Sequence, residues 1–120
     1  MRTELRRFLH ATDAVTTAEG LTPERYDLLL MIKATSEHAE PATVSLLQEL
    51  LDLSQQAVTE LVKRAVGAGL VRRERSAVDR RVVHLELTAE GEARLLRAFA
   101  ALRENRSTLA RALARLQRRF

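Results

Sequence analysis

The residue types best suited to specific hydrogen bonding are concentrated in one short stretch, residues 54–64. Glutamine amides can pair with adenine edges, a threonine methyl can contact thymine, and a lysine ammonium can reach guanine or phosphate. The polar residues expected to face outward are Ser54, Gln55, Gln56, Thr59, Glu60, Lys63 and Arg64. A merely solvated helix would be equally polar, but a basic segment follows directly, so we interpret this set as a DNA-contacting face. Glu60 is the exception, since it repels phosphates and could instead accept from cytosine or orient Arg64.

The basic segment contains five arginines within ten residues, namely Arg72, Arg73, Arg75, Arg80 and Arg81. Residues 54–81 carry a net charge of +4, whereas residues 1–53 carry −4 and residues 82–120 carry +4. Charged side chains can also prevent an exposed strand edge from pairing with another chain, and Arg72 or Arg73 could have this role alone. For Arg75, Arg80 and Arg81 we favour contact with nucleic acid.

Other kinds of chemistry have little support in the sequence. There is no cysteine, and His10, His38 and His84 lie far apart, so neither a metal site nor a cofactor is expected. No paired nucleophile and base and no glycine-rich phosphate loop is recognisable, so an enzyme is not predicted. Aromatic residues make up 3% of the chain, too few for the stacking platforms of single-strand binders.

The length of 120 residues suits one domain, and 46% apolar with 30% charged residues is typical of a globular protein. Neither a signal peptide nor a membrane span is visible, so we expect a cytoplasmic protein without membrane contact. Within the single domain, 1–120, we expect an N-terminal helix at 1–20, a core at 21–87 and a long C-terminal helix at 88–120.

Apolar periodicity and capping residues predict four helices before the basic segment. They span Leu5 to Val15, Thr22 to Ile32, Ser45 to Asp52 and Ser54 to Gly67, with a polar connection from Thr35 to Ala42 between the second and the third. The crowded apolar run of the second helix indicates that it is buried on most of its surface. The third and fourth helices meet through a short turn, which is the helix-turn-helix arrangement.

A β-hairpin and a final helix complete the predicted elements. Residues 70–75 and 82–87 flank a charged tip at 76–81 and have the period of strands. Thr88 opens the last helix, in which leucine and phenylalanine recur in a heptad from Leu95 to Phe120, interrupted by Arg106. Such a helix is longer than a small domain needs for its own core, so we expect it to pair with a second subunit.

Helix, short helix, turn, helix and hairpin is the order of a winged helix, and the sequence resembles the MarR family of transcriptional regulators up to about Arg94. The resembling stretches are LTPERYDLL at 21–29, LSQQAVTELVKR at 53–64, GLVRR at 69–73, DRRVV at 79–83 and LTAEG at 87–91. The resemblance implies a mainly α fold with a small β-hairpin, a winged helix-turn-helix with N- and C-terminal dimerisation helices.

The resemblance also implies a homodimer that places one recognition helix per subunit in successive major grooves and its wings in flanking minor grooves. Asp79 and Arg81 match the family's Asp-x-Arg, which assigns Arg81 to the minor groove and Asp79 to shaping the wing. The residues expected at the dimer interface are Leu5, Phe8, Leu9, Leu102, Leu109, Leu113, Leu116 and Phe120. A small-molecule effector is implied as well, with Phe8, His10, Tyr26 and Phe99 as candidate pocket residues that could equally be plain core.

Two functions follow as hypotheses. The first is a sequence-specific, double-stranded DNA-binding transcriptional regulator, a homodimeric repressor acting on a palindromic operator. The alternative is a winged-helix protein-interaction module or heterodimer partner with little DNA affinity of its own. It is motivated by Leu46 and Leu50, expected at outward positions of the short helix, and by the family's final short helix, which is missing after Phe120. The operator sequence, the effector and the regulated genes cannot be read from the sequence.

Overall fold

The computed structural model describes residues 20–38, 41–101, 110–111 and 114–118. Its elements in chain order are α1 (Pro23–Glu37), α2 (Val44–Leu51), α3 (Gln55–Gly67), β1 (Val71–Arg75), β2 (Val83–Leu87) and α4 (Ala89–Ala101). Residues 114–118 are also helical and are called the C-terminal segment below. The predicted first helix and the expectations for Leu5, Phe8, Leu9, His10, Leu102, Arg106, Leu109, Leu113 and Phe120 lie outside the described residues. No helix in the described part of the chain combines the length and apolarity that crossing a membrane requires.

Helix α1 is the centre of the core, as its apolar run predicts. The hydroxyl of Thr22 caps it by accepting from the backbone N–H of Arg25 at 3.2 Å, and Pro23 occupies the first turn. The helix contacts α2, α3, α4 and β2, so residues 26–32 are all buried. The predicted polar connection from Thr35 to Ala42 begins too early, because α1 continues through Glu37. Thr35 is therefore helical and fully buried, and its hydroxyl donates to the carbonyl of Ile32 at 2.8 Å.

The helix-turn-helix consists of α2 and α3. Thr43, and not the predicted Ser45, caps α2, since its hydroxyl accepts from the backbone N–H of Leu46 at 3.2 Å. Helix α2 ends at Leu51, and its C-cap Asp52 adopts the left-handed conformation with φ of 57° and so turns the chain sharply. Ser54 caps α3 as predicted, with its hydroxyl accepting from the N–H of Ala57 at 3.1 Å.

The prediction that Leu46 and Leu50 face outward is wrong. Each is only 5% exposed, and both belong to the same core as Leu116 of the C-terminal segment, which is fully buried. The C-terminal segment lies beside α2, where Arg115 and Arg118 share the walls of a cavity of about 370 Å³ with Leu50 and Glu49. Leu46 and Leu50 are thus core residues, buried within one chain.

Strands β1 and β2 form the antiparallel hairpin expected from their period, with Val71 paired to Leu87 and Arg75 to Val83. Ala42 adds a single bridge on the outer side of β2, where its carbonyl accepts from the N–H of Leu85 at 2.8 Å. Val71 and Leu85 point into the core and anchor the base of the hairpin.

The start of α4 is docked on the backbone that leads into β1. The N–H of Thr88 donates to the carbonyl of Leu70 at 3.0 Å, and its hydroxyl donates to the carbonyl of Gly69 at 2.6 Å. The same hydroxyl caps the helix by accepting from the N–H of Gly91 at 3.0 Å. A Cβ on Gly91 would lie 2.0 Å from the carbonyl oxygen of Leu70, so only glycine permits this approach.

Asp27 is a carboxyl group inside the core. The residue is 4% exposed, and within the described residues its Oδ1 has no hydrogen-bond partner. Burial removes water from the charged form and raises the pKa of Asp27 to about 7. The charged form therefore opposes folding at neutral pH.

The substitution Gly91→Ala is expected to destabilise the fold by roughly 2 kcal/mol or more, because the new methyl group must displace the Leu70 backbone. Gly67→Ala is the matched control, since a Cβ there meets nothing within 4 Å and removing a helical glycine stabilises by up to about 1 kcal/mol. Urea unfolding followed by circular dichroism measures both. Equal effects of the two substitutions would contradict the docking role of Gly91.

The pKa of Asp27 predicts a specific pH dependence of stability. Between about pH 4 and pH 7 the folded protein keeps a proton that the unfolded chain has lost, so the free energy of unfolding falls as the pH rises through this window. Asp27→Asn should remove most of that slope. Asp79→Asn is the control and should keep the slope, because hydrogen bonds from Arg81 lower the pKa of Asp79 and place its contribution below the window. Unfolding free energies between pH 5 and pH 8 decide the outcome.

Candidate nucleic-acid interface

The surface of α3 separates core from polar residues as the sequence predicts. Val58, Val62 and Ala65 are buried against the core. The outward residues are exposed, namely Ser54, Gln55, Gln56, Thr59, Glu60, Lys63 and Arg64. The structure therefore brings all seven predicted contact residues of this helix onto one accessible face, which we call the α3 face.

The start of α3 is arranged to meet an anion. The Ser54 oxygen accepts from the backbone of Ala57, which leaves its hydroxyl hydrogen free to donate outward. Gln55 and Gln56 follow in the first turn with exposed amides, and the helix dipole adds partial positive charge at this end. Phosphate oxygens and base edges are both suitable acceptors for these donors.

Glu60 is paired along the helix with Arg64, at 3.6 Å between Oε1 and Nε. Glutamate four residues before a basic residue is the favourable order for such a pair, although exposed pairs contribute only a few tenths of a kcal/mol. This arrangement agrees with the orienting role considered for Glu60. Within the described residues, Lys63 makes no ion pair or hydrogen bond, so its charge is available to a ligand.

The tip of the hairpin, residues 76–82, is closed by its own hydrogen bonds. The Ser76 hydroxyl accepts from the N–H groups of Val78 and Asp79, each at 3.2 Å. The N–H of Ser76 donates to the carbonyl of Val82, and that of Val82 to the carbonyl of Asp79, both at 2.9 Å. The tip is therefore a defined loop, and Ser76 is a structural residue of the wing that the sequence analysis did not single out.

Asp79 accepts three hydrogen bonds from Arg81, which is how it could shape the wing as the family resemblance implies. Its Oδ1 accepts from both the backbone N–H and Nε of Arg81 at 3.1 Å, and its Oδ2 accepts from Nη2 at 3.2 Å. The Arg81 guanidinium holds the pKa of Asp79 below its usual range. The Arg81 side chain nevertheless remains 90% exposed, so a ligand can reach its guanidinium group.

The other hairpin arginines differ in their surroundings. Arg72 is paired across the strands with Glu86, at 2.6 Å between Nη2 and Oε2, so it helps to hold the two strands together. The Arg75 guanidinium donates a hydrogen bond to the backbone carbonyl of Arg80 and so stabilises the tip. In the described part of the chain, the guanidinium groups of Arg73 and Arg80 have no such partner and are exposed.

Helix α3 contacts β1, so the basic hairpin adjoins the helix that carries the α3 face. One side chain on the hairpin breaks the polar pattern. Val78, in the middle of the tip, is 98% exposed, although valine normally gains from burial. The sequence alone did not indicate Val78 as a site residue. The one available signal was an apolar residue in a segment rich in arginine.

The remaining predicted sites are not assembled into a pocket by the described residues. Tyr26 is fully buried and Phe99 packs on the same core, which agrees with their plain structural reading. A separate cavity of about 420 Å³ lies between α1, β2 and α4, lined by Ile32, Lys33, Thr35, Ser36, Pro41, Ala42, Leu85, Glu86, Leu87 and Glu92. Among described residues there is no cluster of three metal-binding side chains.

Comparison with known proteins bears directly on this fold. No curated protein matches the sequence significantly. Among solved structures, a MarR family transcription regulator superposes with a TM-score of 0.69 at 25% identity, covering 92% of this chain and 68% of that one. The M. tuberculosis transcriptional regulator MOSR, solved in complex with DNA, gives 0.67 at 26% identity, covering 98% of this chain and 84% of that one.

A mutant of E. coli MarR, solved in complex with operator DNA, shares the fold with a TM-score of 0.71 at 20% identity, covering 96% of this chain and 84% of that one. The sequence profile of the MarR family itself matches residues 19–82, which is more than half of the chain and contains the whole helix-turn-helix and the wing tip. The winged helix and the family profile agree, and this chain belongs to the MarR family of transcription regulators.

Proposed function

We propose that the protein is a homodimeric repressor that binds a palindromic operator in double-stranded DNA. In this proposal α3 lies in the major groove and the hairpin reaches the flanking minor groove as a wing. The observation that carries it is the exposed polar α3 face, on a helix that contacts the first strand of the arginine-rich hairpin. Residues 54–81, which contain both, have a net charge of +4.

Each group has a chemically distinct role in the proposal. Gln55, Gln56 and Thr59 meet base edges, because amides and hydroxyls can pair with specific donor and acceptor patterns in the major groove. Phosphates or guanine are contacted by Ser54, Lys63 and Arg64. These three side chains carry hydrogen-bond donors on the α3 face, Ser54 at its N-terminal end. Glu60 orients Arg64 by the ion pair described above.

The wing supplies the second contact. Arg81 and Arg80 are directed to the minor groove, whose negative potential attracts arginine most strongly where the groove is narrow. Arg75 acts through the Arg80 carbonyl and supports this loop. The structures of MOSR with DNA and of E. coli MarR with operator DNA support the proposal by likeness, since those proteins were solved on such ligands.

Dimerisation is proposed through the outer part of α4 and the predicted heptad beyond it. Leu96 is 47% exposed on α4, and Ala100 follows one turn later on the same side, so an apolar strip is accessible there. A two-fold dimer predicts half-sites about 10 bp apart. For a small-molecule effector, the cavity of about 420 Å³ between α1, β2 and α4 is a described space of suitable size.

The protein-interaction alternative has lost its main support. It depended on exposed leucines of the short helix, and Leu46 and Leu50 are covered by the chain itself. Selection of bound sequences from random duplexes, combined with sedimentation of the free protein, tests the proposal against it. A monomer that enriches no duplex sequence would overturn the proposed function.

Alanine substitutions at the two surfaces should weaken binding to the selected duplex. Lys63→Ala and Arg81→Ala are each expected to lose roughly 1–3 kcal/mol of binding free energy, as typical for groove and phosphate contacts. Arg72→Ala removes the same charge from the same hairpin, but Arg72 lies near the start of β1, away from the tip, and is paired across the strands with Glu86, so its loss should be several times smaller. Lys63→Ala should also reduce the slope of log K against log salt by about 1 if the lysine neutralises a phosphate. Fluorescence anisotropy measures all three variants, and an equal loss for Arg72→Ala would contradict the assignment.

A further inference from the structure

Val78 is the most exposed large apolar side chain among the described residues. It is 98% exposed, against 47% for Leu96 and 42% for Leu53. Single exposed apolar residues are common on protein surfaces and usually need no explanation. The position of Val78 is different, because it is presented by a loop whose shape is fixed.

The hydrogen bonds of the tip determine where Val78 points. Its own backbone N–H is held by the Ser76 hydroxyl at 3.2 Å, and the loop is closed on the far side by the bond from Ser76 to Val82 at 2.9 Å. Arg75 and Asp79 add side-chain bonds to the same loop. A preorganised side chain loses little conformational entropy on binding, so even a small contact surface contributes to affinity and specificity.

Three arginines lie within three residues of Val78 in the sequence, namely Arg75, Arg80 and Arg81. Their charge favours contact with a polyanion and opposes burial of the tip in an apolar protein surface. The occupant of the space around Val78 is thus expected to be a nucleic acid groove, whose rim is anionic and whose floor consists of base edges.

The chemistry of an isopropyl group restricts what it can recognise there. Valine is too short to wedge between base pairs as larger apolar side chains do, so it contacts the groove floor. It cannot accept a hydrogen bond, and the minor-groove edge of G·C differs from that of A·T by the guanine amino group. A guanine amino group covered by the isopropyl group loses its hydrogen bond to water and gains no hydrogen bond to the protein, which weakens binding.

We propose that Val78 makes the wing selective for A·T over G·C base pairs at the flanking minor-groove positions. The inference rests on the proposed function and deepens it, because it assigns a specificity-determining residue to the same interface. The arginines provide attraction, and Val78 excludes the guanine amino group.

Inosine distinguishes the minor groove from the major groove, since an I·C pair resembles G·C in the major groove but lacks the amino group in the minor groove. The duplex selected for the full protein is made with A·T, I·C or G·C at the wing-contacted pairs, which footprinting identifies. The unmodified protein should bind A·T and I·C equally and G·C about tenfold more weakly.

Val78→Thr is the decisive variant, because it keeps the shape of the side chain and adds a hydroxyl that accepts from the guanine amino group. It should reduce the preference against G·C to about twofold or less. Ala77→Thr places the same hydroxyl at the neighbouring exposed position and should leave the preference unchanged. Both positions are exposed, so unfolding measurements should show unchanged stability for the two variants.

The outcomes separate this inference from the function on which it rests. If the unmodified protein binds no duplex, the proposed function fails. If it binds but does not distinguish G·C from I·C, or if Val78→Thr retains the full preference, the role of Val78 is wrong and the proposed function stands. The same preference lost in Ala77→Thr would also overturn the assignment to Val78.

Discussion

The carbonyl of Leu70 is the point on which the arrangement of this molecule depends. It lies between the end of α3 and the start of β1, and it accepts from the backbone of Thr88 at the beginning of α4. Gly91 passes so close that a side chain there would collide with it. Helix α3, the hairpin and helix α4 are therefore joined at one contact between main chains, which side-chain repacking cannot adjust. A second link, the ion pair of Lys33 with Glu92, ties α4 to the central helix.

The two surfaces that we propose to face DNA are held by different means. The α3 face is positioned by burial, since Val58, Val62 and Ala65 fix the rotation of the helix about its axis. The wing tip has no core of its own and relies on hydrogen bonds from Ser76, Asp79 and Arg75. Hydrophobic packing sets the first surface and local polar contacts set the second, so changes in one surface need not disturb the other.

Much of the fold and the outward set of α3 could be predicted because they follow from local signals. Thr22 with Pro23, Ser54, and the change to period two after Gly69 are each readable within a few residues. The errors concern long-range contacts. Leu46 and Leu50 looked exposed because they belong to a core that includes Leu116, more than sixty residues later in the chain. The choice between Thr43 and Ser45 as a cap, and the buried carboxyl of Asp27, likewise depend on packing that no short pattern encodes.

The pairing of Asp79 with Arg81 has a consequence for how the wing would exchange ions. Asp79 acts as an internal counter-ion, so Arg81 in the free protein needs no dissolved anion to balance it. When Arg81 turns toward a phosphate or groove, the carboxylate it leaves takes up a cation from solution, which offsets the cation that the DNA releases. In the proposed complex the wing arginine would thereby add specificity with little added sensitivity to ionic strength, in contrast to Lys63, which has no ion pair among the described residues.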